Sequence, residues 1–126
     1  MTIVAAAVIE RDGRILIGQR RVGGAHGLKW EFPGGKVNEG ETPGAALERE
    51  LAEELAIQAQ AGPEILRYEY AYPGKPPILL VFFQVTSFSG VPLNRVFEQF
   101  AWADKRKLSD YDFLEGDAEI VKLLGQ

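Results

Sequence analysis

The chain opens on an apolar run, Ile3 to Ile9, that reads as a strand reaching Glu10. Arg11-Asp12-Gly13-Arg14 carries the Asp-Gly pair of a tight hairpin, and Ile15 to Gln19 is its partner strand. Val22 to Leu28, rich in glycine and alanine, reads as a loop. Trp30-Glu31-Phe32 is a short strand that Pro33-Gly34-Gly35 should stop. Ala45 to Leu55 is the clearest helix, with Thr42 as N-cap and Pro43 at the first helical position, where its missing N–H costs nothing. Ile65 to Tyr72 alternates in part and sets Tyr68, Tyr70 and Tyr72 on one face. Pro73 to Pro77 is a turn. Ile78 to Val85 is apolar throughout, which marks a central strand covered on both sides. Phe97 to Ala103 is a further strand, and Asp117 to Leu124 a last short helix. Strands, a helix, more strands and a helix predict an α+β fold, with helices packed on a mixed sheet.

Composition narrows the function classes. The chain has 126 residues, 46% hydrophobic and 25% charged, which fits one ordinary globular domain. It has no cysteine and one histidine, which excludes disulfide frameworks, thiolate zinc sites, thiol catalysis and a two-histidine metal site. Fourteen basic residues against 18 acidic ones leave a formal charge of −4, poorly suited to binding a nucleic-acid polymer. A polyanionic ligand would need a cation to bridge it to the carboxylates. The first apolar run is far shorter than the ~20 residues of a membrane span and lacks the flanks of a signal peptide, so the chain reads as cytoplasmic with no membrane partner.

The helix carries the chemistry. At about 100° per residue, Leu47, Leu51 and Leu55 form its buried stripe, and Glu50, Glu53 and Glu54 fall together beside it. Three carboxylates on one face repel one another, and the C-terminal half of a helix disfavours negative charge. A divalent cation would relieve both, and hard oxygen donors without sulfur or imidazole point to Mg2+, with Mn2+ as a substitute. Glutamate-rich helix faces are also ordinary solvated surface, so this cluster alone does not decide the matter.

Its surroundings do. Gly35 is followed after five residues by Glu41, seven residues later by Arg49-Glu50-Leu51, then by Glu53-Glu54 and Ile57. This pattern resembles the signature of the Nudix hydrolases at eight of its nine specified positions. A chance match in a chain this long is well below about one in 100,000. The departure is Ala56, where the family has a glycine that ends the helix in a left-handed conformation. Alanine there should cost roughly 1 kcal/mol, or the helix should end in another way. Ile15-Leu16-Ile17, Gln19-Arg20-Arg21 and Lys29-Trp30-Glu31-Phe32-Pro33-Gly34-Gly35-Lys36 are similar to the MutT branch, the nucleotide-pool sanitising enzymes.

The resemblance implies an α/β/α sandwich around a mixed sheet over residues 1–126. It implies Glu50, Glu53, Glu54 and the Gly34 carbonyl as metal-binding groups, with Glu98 as a further ligand or base. Glu41 and Arg49 would support the site by pairing. Arg20, Arg21, Phe32, Lys36 and Asp117 would contact substrate, and Lys75 and His26 are further candidates near the cleft. Singly, the lysines also read as solvated charges, His26 as an exposed loop residue, Glu98 as an exposed strand residue and Asp117 as an N-cap of the last helix. The tyrosine stripe reads as base pocket or as packing.

The implied reaction is Mg2+-dependent cleavage of a nucleoside triphosphate at the β-phosphorus to monophosphate and pyrophosphate. An oxidised nucleotide such as 8-oxo-dGTP is the leading substrate, because an ionised Asp117 would accept both donors of a guanine edge. The alternatives are CTP or modified pyrimidine triphosphates, and a non-catalytic nucleotide-recognition module. The retained glutamates speak against the last. The protein would act as a monomer or homodimer.

Overall fold

The computed structural model describes all residues, 1–126, as nine strands and two α-helices with short 3-10 turns. Strands β1 (Thr2–Arg11) and β2 (Arg14–Gln19) form the expected hairpin, with Asp12 and Gly13 both at positive φ as its tight turn requires. β3 (Trp30–Glu31) is short, as expected. It ends before Pro33, and a new strand begins directly after that proline. β4 (Gly34–Lys36) pairs antiparallel with β1, Ala5 opposite Gly35. A β-carbon on Gly34 would lie 2.0 Å from the Ala5 carbonyl oxygen, so only glycine lets this strand lie there.

Helix α1 (Pro43–Leu55) starts where the sequence places it. Thr42 caps it by accepting from the Ala45 N–H, and Leu47, Leu51 and Leu55 are fully buried. Ala56 ends it in the left-handed conformation (φ 58°), its N–H returned to the Ala52 carbonyl. The helix therefore keeps the glycine-type ending and bears the strain of a β-carbon there.

Two-residue strands β5 (Gln58–Ala59) and β8 (Phe88–Ser89) pair with each other, too short for any periodicity to announce them. β6 (Glu64–Tyr70) and β7 (Ile78–Val85) are antiparallel, and Tyr72 lies beyond the strand end that the alternation suggested. β9 (Gln99–Asp104) begins two residues later than expected, because the Asn94 side chain bonds both the N–H and the carbonyl of Phe97 and holds it in a turn. Lys105–Asp110 forms an unanticipated 3-10 segment, and a second 3-10 turn, Glu115–Asp117, leads into α2 (Ala118–Leu124).

The sheet runs β3-β2-β1-β7-β6, with β4 beside β1 and β9 beside β2. β1 and β7 run parallel over eight residue pairs, Thr2 opposite Ile78 to Ile9 opposite Val85, and the other pairings are antiparallel. β1 explains the layering. Ala5, Ala7 and Ile9 pack with the α1 leucines, whereas Ala6 and Val8 pack with Phe82, Leu108 and Ile120 on the α2 side. Strand alternation thus sends one apolar run into two cores, giving an α/β/α sandwich. No helix is long and apolar enough to cross a membrane.

Candidate active site

Arg49 organises the signature region. Its guanidinium binds Glu41 bidentately (2.8 and 3.0 Å), the Glu50 carboxylate (2.9 Å), the Lys36 carbonyl (3.2 Å) and, more loosely, Glu53 (3.4 Å). The 36–41 loop is thereby locked onto α1 through the Glu41–Arg49 ion pair. The pairing pulls the Glu41 carboxyl below its ordinary range, first through the Arg49 hydrogen bond and then through the Asn38 N–H. Gly35 lies beneath Glu50, and a β-carbon there would meet its carboxyl carbon at 2.5 Å. The Gly34 N–H faces the Glu54 carboxylate at 3.3 Å.

Glu54 is the strained member of the cluster. Burial, then repulsion by Glu31, Glu50 and Glu53, pushes its pKa up to about 8, against the Gly34 hydrogen bond. The sequence singles out Glu50, Glu53 and Glu54 but not Glu31. Glu31 lies on β3, half-buried, paired with Arg20 at 2.9 Å, and burial raises its pKa despite that partner. A glutamate between two aromatic residues of a short strand is the signal that could have found it, since burial there demands a reason.

No three of these carboxylates converge on one point as they stand: Glu50 and Glu53 turn toward Arg49, and Glu54 toward Gly34. The donor set still suits a hard divalent cation. It is all oxygen, and its surplus negative charge adds to the burial that drives Glu54 upward. Glu98 stands apart. It is exposed, and its carboxylate meets only the Val22 N–H, at 3.5 Å.

Two adjoining hollows complete the site. A cleft of about 280 Å3 is lined by Arg20, Arg21, Glu31, Glu54 and Phe97. Arg21 is held there by the Val96 carbonyl at 2.9 Å. Arg20 and Glu31 also line a second cavity, of about 190 Å3, with His26, Phe32, Tyr72 and Asp117. Phe32 is buried and stacks on Phe113 (centroids 5.2 Å apart). Lys36 and Lys75 face a broader open cleft beyond His26 and Tyr72. Asp117 does not cap α2: its side chain makes no capping bond, and it is the one buried charged residue of the chain. Burial, then the Glu31 charge, raises its pKa to about 7.

The raised carboxyls of Glu54, Asp117 and Glu31 set the pH response. A carboxyl whose pKa rises on folding favours the folded state fully below its unfolded value, and that stability is lost as pH climbs through the folded value. For Glu54 the window runs from 4.5 to about 8, and for Asp117 from 3.8 to about 7. The metal-free protein should therefore lose several degrees of melting temperature between pH 5 and pH 8, and Glu54→Gln should flatten that slope. Thermal unfolding in chelator checks this, and a wild-type melting temperature independent of pH would contradict it.

These features together describe a glycine-rich loop and an acidic helix joined through one arginine, beside a cavity that ends in a buried aspartate. The NUDIX domain family model matches residues 1–124, and the chain belongs to that family. It is 36% identical over 122 residues to the 8-oxo-dGTP diphosphatase of Haemophilus influenzae, spanning 96% of this chain and 89% of that protein. It is 34% identical over 122 residues to the CTP pyrophosphohydrolase of Escherichia coli, spanning 97% and 90%. Among solved structures, the E. coli ORF135 protein superposes with a TM-score of 0.87 at 34% identity, covering 97% of this chain and 86% of that one.

Proposed function

We propose that the protein is a Mg2+-dependent pyrophosphohydrolase that cleaves nucleoside triphosphates, with an oxidised guanine nucleotide such as 8-oxo-dGTP as its leading substrate. The observation that carries this is the shared wall of the two hollows: Arg20 and Glu31 line both, which sets the Asp117 cavity beside the cleft that holds Glu54, as a base site beside a phosphate site requires. A base in the first and phosphates in the second fit the chemistry of each wall. The names of the H. influenzae and E. coli relatives support the same class.

In this reading Glu50, Glu53 and Glu54, with the Gly34 carbonyl, hold the cation. Bound there, magnesium supplies charge neutralisation and acidifies an attacking water. One of Glu53 and Glu54 takes the water proton. Arg20 and Arg21 bind phosphate, Phe32 offers its face to the base, and Lys36 guides the anionic substrate from the outer cleft. Glu98 joins the metal site only if the 22–28 loop releases it.

Asp117 reads the base edge. An ionised carboxylate accepts two parallel hydrogen bonds, which suits the N1–H and amino group of guanine. A second reading, cytidine-type triphosphates, gains support from the raised Asp117 pKa. Near neutral pH a fraction of the carboxyl is protonated, and that form donates and accepts as a cytosine edge requires. Asp117→Asn is expected to change the guanine-over-cytosine ratio of kcat/KM by about tenfold or more. An unchanged ratio would remove Asp117 from base reading. The decisive experiment for the class is a panel of normal and oxidised nucleoside triphosphates, with products separated by chromatography. Release of monophosphate and pyrophosphate supports the proposal, and binding without turnover would support a recognition module instead.

A further inference from the structure

Tyr68 on β6 and Tyr72 just beyond its end reach the two peptide groups that flank Gly116. The Tyr68 hydroxyl donates to the Gly116 carbonyl at 2.6 Å, and the Gly116 N–H donates to the Tyr72 hydroxyl oxygen at 3.1 Å. The peptide groups on either side of Gly116 are thus each held by a tyrosine, 115–116 through its N–H and 116–117 through its carbonyl. Between them, the Tyr70 hydroxyl lies 3.4 Å from Glu115. The tyrosines are themselves braced. Tyr68 stacks on the buried Phe82 (centroids 5.8 Å apart, planes at 23°), and Tyr72 meets Tyr70 edge-on and His26 at a tilt, each at 4.8 Å.

Gly116 immediately precedes Asp117. The turn is anchored upstream through the Leu114 N–H on the Trp30 carbonyl, but Asp117 caps nothing downstream. The Asp117 carboxyl faces the Phe32 N–H and its own N–H donates to the Leu114 carbonyl at 3.0 Å, while the 116–117 peptide held by Tyr68 fixes the backbone from which the side chain leaves. Position 116 also has no room to spare, because a β-carbon there would lie 2.8 Å from the Tyr72 hydroxyl.

We propose that Tyr68 and Tyr72 act as a hydroxyl clamp on the two peptide groups flanking Gly116 that positions Asp117, so that base selectivity depends on Tyr68, which does not line the cavity. Tyr68 is a positioning residue here, and Tyr72 is both clamp and cavity wall. The proposal rests on the base-reading role given to Asp117. Removing one hydroxyl frees one of these peptide groups, and a displacement of a fraction of an ångström is enough to spoil a paired hydrogen bond.

The test is a cycle of Tyr68→Phe, Asp117→Asn and the double variant, each assayed for kcat and KM on 8-oxo-dGTP and CTP. Tyr68→Phe keeps the ring and its stacking, and thermal unfolding verifies the fold. Tyr72→Phe applies the same test at the neighbouring 115–116 peptide. Tyr68→Phe should shift the purine-over-pyrimidine ratio of kcat/KM by about threefold or more, through KM rather than kcat. In the Asp117→Asn background it should shift the ratio no further. If Asp117→Asn moves the ratio and neither phenylalanine variant does, the clamp is idle and the proposal falls while base reading stands. If the Tyr68→Phe effect persists undiminished beside Asp117→Asn, it does not act through Asp117, and the proposal is overturned. If Asp117→Asn itself leaves the ratio unmoved, base reading fails and the clamp's role fails with it.

Discussion

Glu53→Gln is expected to lower kcat at least about a hundredfold while leaving the fold intact. The loss follows from removing a charged oxygen donor and, if Glu53 is the proton acceptor, the base as well. The geometry explains why stability should hold. The Glu53 side chain is 60% exposed and touches only Arg49, at 3.4 Å, whereas the Glu50 side chain is 17% exposed and bound tightly at 2.9 Å. Arg49 keeps Glu41 and Glu50 in the variant, so no buried charge is left unpaired. One source of repulsion on Glu54 also disappears, so the melting temperature of the metal-free protein should stay or rise slightly. Steady-state kinetics beside a thermal melt measures both effects. Retention of more than about a tenth of the wild-type kcat would show that the acidic helix face is not the reaction centre.

Excess chelator is expected to abolish turnover, by about a thousandfold or more, and Mg2+ or Mn2+ to restore it. The basis is charge. Arg49, the cation bonded to Glu50 and Glu53, is already committed bidentately to Glu41. A triphosphate would bring further negative charge to a site where burial and then repulsion already lift Glu54 to about 8. Arg20 and Arg21 can meet part of it, but Arg20 is paired with Glu31. The melting temperature should rise only modestly with added metal, because both cores are apolar and complete without it. Full activity in excess chelator would overturn the metal assignment, and unfolding in chelator would mean that the cation is structural.

Several features were legible in the sequence because they depend on local spacing alone. The α1 boundaries follow from Thr42, Pro43 and the leucine stripe, and three glutamates at i, i+3 and i+4 must share a helix face in any fold. The β7 range emerged whole because a central strand, buried on both sides, is continuous in apolar residues. The signature spacing carried the family because a rigid helix and a short loop fix the relative positions of Gly35, Glu41 and Arg49.

Other features belong to the tertiary structure, because they arise between segments distant in the chain. Gly34 and Gly35 look like a strand breaker by propensity, yet they form a strand, since only residues without a side chain fit against β1 and beneath Glu50. Glu31 reads as one polar residue in a short strand until folding places it near both Glu54 and Asp117. Asp117 stands at a position where N-capping is the local expectation, and the fold buries it in a cavity instead. The tyrosine alternation implies a common face, but what that face grips, a peptide group 48 residues beyond Tyr68, is decided by the packing of β6 against the turn before α2. Local spacing determined the acidic helix face and its supporting arginine, and long-range packing decided what stands opposite them.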